Sequence, residues 1–113
     1  MRTIFDLNIL PAQPAQTGTT SAAVSTAEAS HASFNIVWSG VTGTADGTLQ
    51  VVARNNVASA WVPIDGAVLT ISGAAGSNLI NLNDVLAYKM AAIQWTPVDC
   101  TGGVVDVYAF GKG

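Results

Sequence analysis

Residues 34–39 read Phe34-Asn35-Ile36-Val37-Trp38-Ser39, and residues 47–53 read Gly47-Thr48-Leu49-Gln50-Val51-Val52-Ala53. Apolar side chains recur at every second position. Phe34, Ile36 and Trp38 fall on one face of the first run, and Leu49, Val51 and Ala53 on one face of the second. Successive side chains of an extended chain point to opposite faces, so each run predicts a strand with one buried side. The intervening Gly40-Val41-Thr42-Gly43-Thr44-Ala45-Asp46 is rich in turn residues, which predicts a hairpin. The pattern returns later as Ile93-Gln94-Trp95-Thr96, a glycine-containing turn, and Gly103-Val104-Val105-Asp106-Val107-Tyr108-Ala109. A large indole packs well beside small or β-branched cross-strand neighbours. The repetition therefore predicts two similar hairpins facing one core.

Working outward, residues 2–10 alternate from Phe5, with Phe5, Leu7 and Ile9 on one face, and Pro11 and Pro14 are expected to end that strand. Residues 60–64 predict a short strand that Pro63 places at an edge. Asp65-Gly66 predicts a tight turn, residues 67–72 a strand, and residues 78–81 another short one. Residues 83–88 predict a single helical turn capped by Asn83 or Asp84. Residues 97–103 predict a turn before a last strand over 104–110. Residues 12–31 are small, polar or alanine-like, with Val24 the one sizeable apolar side chain. This stretch predicts an arm, mobile in isolation and ordered by a partner, with at most one short strand near residues 22–27. The fold class that follows is all-β: a single antiparallel β-sandwich, jelly-roll-like, with an extended N-terminal arm. Residues 1–32 form the first strand and arm, residues 33–113 the core, and the whole is one domain.

Composition narrows the function classes. Of 113 residues, 50% are hydrophobic and only 10% charged, against roughly 25% charged in average domains. Lys and Arg number 4 and Asp and Glu 7, a net charge of −3. Four scattered cations do not make a nucleic-acid face or a polybasic membrane patch, so neither partner is expected. No run of about 20 apolar residues predicts a spanning helix. No basic and apolar leader is visible either, and Met1 suits an unprocessed cytosolic product. The single Cys100 forms no intrachain disulfide, and one cysteine with the single His31 does not make a four-ligand zinc site.

No local constellation of catalytic residues is present. The seven carboxylates are dispersed, no phosphate-cradling loop occurs, and Asp99 beside Cys100 works against a reactive thiolate. No enzyme activity and no cofactor is expected. The best candidate contact surface is the outward face of the last strand, Val104, Asp106, Tyr108 and Phe110, with Trp61 as a further exposed aromatic. A second packed layer over that face is the competing expectation. The candidate assembly arm is marked by Pro11, Pro14, Val24 and His31.

The run from Phe34 to Gly113 resembles small β-sandwich structural proteins of tailed bacteriophage virions. The carrying residues are Val37-Trp38-Ser39-Gly40, Gly47-Thr48-Leu49, Asn55-Asn56, Trp61-Val62-Pro63-Ile64, Tyr88, Ile93-Gln94-Trp95-Thr96 and Gly111-Lys112-Gly113. The chain departs from the pattern at Pro97-Val98-Asp99-Cys100, where a plain Gly/Ser/Thr turn is expected. The resemblance implies a non-enzymatic capsid decoration or cement protein that binds the major capsid protein or other virion proteins as a homo-oligomer. It places the chain in the virion, with the arm lying along a neighbour. The alternative expectation is a carbohydrate-binding or adhesion module of a phage tail or spike, with Trp61 or Tyr108 as stacking platform.

Overall fold

Two long strands organise the chain. In the computed structural model, which describes residues 2–82 and 88–113, β4 runs over His31–Arg54 and β7 over Met90–Lys112. They pair antiparallel from His31↔Lys112 at one end to Arg54↔Met90 at the other. The remaining strands are β1 (Thr3–Pro14), β2 (Thr19–Thr20), β3 (Val24–Ser25), β5 (Val62–Ser72) and β6 (Gly76–Leu82). All seven form one antiparallel sheet. The path is β1-β7-β4-β5, with β2 and β3 also on β7 and β6 also on β4. The all-β class expected from the sequence is the class observed. The expected helical turn at Asn83 or Asp84 lies mostly outside the described residues.

The predicted hairpins are not formed. Residues 33–39 pair with 104–110 instead of 47–53, and residues 47–54 pair with 90–97. The repeated motif is real but paired by exchange. Trp38 lies opposite Val105 and Trp95 opposite Leu49; Ile36 lies opposite Val107 and Ile93 opposite Val51. Each rung in one half of the ladder thus has its counterpart in the other, related by a pseudo-twofold at the middle. Turn residues mislead here because they bend the two strands without reversing them. The ladder shifts register three times between Ser39 and Asp46. Positive φ angles at Gly43 (86°), Ala45 (59°), Asp99 (51°) and Gly103 (92°) absorb the bend. The backbones approach so closely that a Cβ on Gly103 would sit 2.6 Å from the Val41 nitrogen. The crease is pinned by a 2.9 Å hydrogen bond between the Thr42 and Thr101 hydroxyls and by the Cys100 thiol donating to the Asp46 carbonyl at 3.2 Å.

The inward side chains of both halves join one cluster. Phe34, Ile36, Leu49, Val51, Ile93, Trp95, Val105 and Val107 are all essentially inaccessible. Large rings cover cross-strand glycines: Trp38 lies over its partner Gly76, Phe5 over its partner Gly111, and Trp95 over Gly47. A glycine strand position has no side chain to pack, and a neighbouring ring fills that gap.

Three further expectations are corrected. Pro11 does not end the first strand, because β1 bulges between Leu10 and Gln13 and so needs no ladder donor there; the strand ends at Pro14. Asp65-Gly66 is not a hairpin turn. Residues 62–72 are one strand, and the pair sits in a bulge between Val52↔Pro63 and Gln50↔Val68. The Gln50 side-chain amide holds that bulge, donating to the carbonyls of Ile64 (2.8 Å), Ala67 (3.0 Å) and Val51 (2.9 Å). Leu7 does not share the buried fate of Phe5 and Ile9; it is 44% exposed. It lines a groove of about 520 Å³ between β1 and residues 23–28.

Candidate functional site

The arm comes first, because its placement changes where a partner can bind. Residues 12–31 lie against their own sheet. Ala15 N–H donates to the Gly103 carbonyl at 2.9 Å, Ser21 N–H to Ile93 at 2.8 Å, and Thr26 N–H to Lys89 at 2.9 Å. The Ser21 hydroxyl accepts from Ile93 N–H at 2.9 Å, and the Thr26 hydroxyl donates to the Tyr88 carbonyl at 2.6 Å. Ala15, Val24, Thr26 and Ala29 are buried. Small side chains carry little rotamer entropy and let the backbone sit close to β7, so hydrogen bonds order a segment that has almost no large apolar residue. The expectation of an arm ordered only by a neighbour is therefore corrected. Of its marker residues, Val24 is core, Pro11 and Pro14 belong to β1, and exposed His31 opens β4 beside the Ser30 hydroxyl at 3.2 Å.

The outward face of residues 104–112 remains open. Val105, Val107 and Ala109 point inward and are buried, which turns Val104, Asp106, Tyr108 and Phe110 outward. Tyr108 is 45% exposed, so no second layer covers it. The register builds its surroundings. Asn8 of β1, Tyr108 of β7, Asn35 of β4 and Leu79 of β6 form one row across four strands. Asp6, Phe110, Ser33 and Asn81 form the next row. His31, Ser33, Asn81, Phe110 and Lys112 line a shallow cavity of about 170 Å³ at the end of this face. The Lys112 ammonium lies 5.6 Å from the Phe110 ring centroid.

Asp106 serves its own chain. Its carboxylate accepts from Ala12 N–H at 2.8 Å and from the Asn8 amide at 3.4 Å, while the Asn8 carbonyl oxygen accepts from Leu10 N–H at 3.0 Å. These bonds hold the β1 bulge, where Ala12 takes φ 46°. What faces solvent is thus a tyrosine among amides, with Leu79, Val37 and Phe110 around it, the Asp6 carboxylate on the β1 side and one cation at its end.

Trp61 is not part of this face. It lies just before β5, where the Arg54 guanidinium stacks 4.0 Å from its ring centroid. Arg54 also donates to the Ser59 carbonyl at 3.1 Å and sits on the rung Arg54↔Met90, at the opposite end of the ladder from Phe110. One face of that ring is already occupied by a cation.

No family model matches this chain, and no curated protein matches it.

Among the described residues, no group of three or more His, Cys, Asp or Glu is placed to hold a metal ion. Among the described residues, no helix is long and apolar enough to cross a membrane. Burial raises the pKa of the Tyr88 phenol, which lies away from the open face. Sequence reasoning named Tyr108 and Phe110 but missed Asn35, Leu79 and Asn81. The alternation Leu79-Ile80-Asn81 was visible, yet nothing local says that β6 joins the row through β4.

Proposed function

We propose that the chain is a non-enzymatic structural protein of a tailed-bacteriophage virion, a capsid decoration or cement protein that binds the major capsid protein or another virion protein. The observation that carries this reading is the open sheet face centred on Tyr108, Leu79 and Phe110, on which Asp6, Asp106 and Lys112 are the charged groups. Interface cores are enriched in aromatics and depleted in charge. The face lies on an all-β scaffold, the fold class that the resemblance to phage structural proteins implies. The jelly-roll-like sandwich belongs to the same reading: a sheet creased at 40–46 and 97–103 would bring its two halves together as layers around the one core cluster. Docking falls to the sheet face, because residues 12–31 are engaged within the chain.

Binding through this face rests on apolar burial and hydrogen bonds, so added salt changes it little. The test is recovery of the chain from density-banded phage particles, read with an antibody on heads and tails separately. Head-associated protein that resists moderate salt, and is lost on Tyr108→Lys, supports the reading. Protein found only in the soluble fraction of the lysate overturns it.

One observation favours the second reading, a carbohydrate-binding module. Tyr108 stands beside Asn35 in a cross-strand row, an aromatic ring next to an amide that has no partner among the described residues. A glycan array read with Tyr108→Ala decides it. Specific binding abolished by that change moves the assignment to a tail or spike adhesin.

A further inference from the structure

The two sides of the sheet are protected very differently. On the β7 side, β1 carries Pro11, Pro14, Asp6 and three register shifts, and β2 and β3 are two residues each. The Arg2–Glu28 ion pair at 3.3 Å lies on the same N-terminal segment. Short strands, prolines, bulges and charges are the devices by which natural sheets prevent edge-to-edge pairing. On the β4 side, residues 67–82 contain no charged residue and no proline. β5 is protected over part of its length by Pro63 and the Asp65-Gly66 bulge. β6 has none of these devices. Its seven residues pair with Ala32–Trp38 without a single register shift. Among the described strands only β4 and β5 touch it, and β4 occupies one of its two edges. Among the described residues no strand covers its other edge, where the Leu79 N–H is held by the Asn78 side-chain oxygen at 2.8 Å, a bond that a pairing strand would displace.

The geometry points to β6 as a self-association edge, on which the β6 strand of a second copy of this chain pairs antiparallel about a two-fold axis at Leu79. This rests on the reading of the chain as an assembling protein and names the surface by which copies meet. The occupant follows from the strand itself. A two-fold contact must be self-complementary, and Leu79 is the central residue of Gly76–Leu82. Antiparallel pairing about it sets Leu79 against Leu79 of the second copy and Ser77 against Asn81 of the second copy. Leu79 is 52% exposed in the single chain and would be covered by its own counterpart. Each copy carries a net charge of −3, and this edge is where two copies meet without opposing like charges. The Tyr108 row would then continue across the contact, so that one broad face, built from two copies, meets the partner.

Light scattering over a concentration series tests the pairing. The wild-type chain is expected at twice its 11.5 kDa mass. Leu79→Lys and Leu79→Glu are each expected as folded monomers, with unchanged circular dichroism, because Leu79 is exposed. Mixing the two variants is expected to restore the dimer, since only a residue that faces its own copy turns Lys and Glu into a pair. Val68→Lys, at 49% exposure on β5, is the control and is expected to stay dimeric. A wild-type monomer at every concentration overturns the inference. So does a dimer that persists in both Leu79 variants, or variants that fail to recover on mixing. Should Leu79 variants prove poorly folded, Ser77→Lys at the neighbouring exposed position takes their place with the same expected monomer. These outcomes leave the virion assignment intact, because that is read from banded particles.

Discussion

The indole nitrogen of Trp95 donates a 2.9 Å hydrogen bond to the backbone carbonyl of Ala15, eighty residues away in sequence and buried with it. Its counterpart in the other half of the ladder, Trp38, is nearly as buried, yet its indole nitrogen has no acceptor among the described residues. Two tryptophans in equivalent rungs therefore do different work. Trp95 fastens the N-terminal segment to the sheet, and Trp38 fills space over Gly76.

Replacement of each tryptophan by phenylalanine separates the two roles. Trp95→Phe removes ring volume and leaves the Ala15 carbonyl buried without its donor. Trp38→Phe removes ring volume alone. Urea melts are expected to show Trp95→Phe less stable than Trp38→Phe by about 1–3 kcal/mol. Proteolysis within residues 12–31 is expected to accelerate only in Trp95→Phe.

The Gln50 staple supports the bulge that carries Asp65-Gly66. Gln50→Ala leaves the carbonyls of Ile64 and Ala67 without their donor and is expected to lower stability by about 1–3 kcal/mol. Gln50→Glu faces those carbonyls with a carboxylate, so its folded-state pKa is raised above the unfolded value. The deficit of Gln50→Glu against wild type is then smallest at acid pH, where the carboxyl is protonated in both states. It grows as pH rises through the raised pKa. Thermal melts from pH 4 to pH 8 check the sign.

Gly47 lies under the Trp95 ring, and a Cβ there would also stand 2.9 Å from the Thr96 carbonyl oxygen. Gly47→Ala is expected to cost about 1–3 kcal/mol by overpacking. In combination with Trp95→Phe the two losses are expected to sum to less than their separate values, because the smaller ring vacates the clash. A double-mutant cycle measures the coupling, and strict additivity would contradict the contact.

Burial raises the Tyr88 phenol above its ordinary value. The folded state therefore keeps this proton at a pH where the unfolded chain has lost it. The unfolded state binds fewer protons there, and stability falls as pH rises beyond about 10. Tyr88→Phe is expected to flatten the alkaline limb of the stability profile, checked by chemical melts from pH 8 to pH 11.

Legibility in the sequence followed the range of the interactions. The strands at 33–39, 47–53 and 104–110, with their buried Phe34, Ile36, Trp38, Leu49, Val51, Val105 and Val107, are readable because period two is a local property. The placement of Tyr108 on an outward face is readable for the same reason. What Gly40 and Gly43 do is not. A positive φ serves equally to reverse a chain or to bend it, and the choice depends on which strand arrives alongside. The open face was therefore half legible: Tyr108 and Phe110 from their own strand, but Asn35, Leu79 and Asn81 only from the register.

By itself, the sequence determined the all-β class, the inward and outward sides of each long strand, the scarcity of charge and the repeated tryptophan motif, since side-chain period and composition need no partner. Only the tertiary structure decided that the two motif copies exchange partners across one creased sheet, that residues 12–31 fasten to β7, and that β6 joins the sheet through β4. Those outcomes depend on backbone hydrogen bonds between residues far apart in the chain. Every residue but proline carries the same backbone groups, so their pairing leaves little trace in any one stretch of sequence.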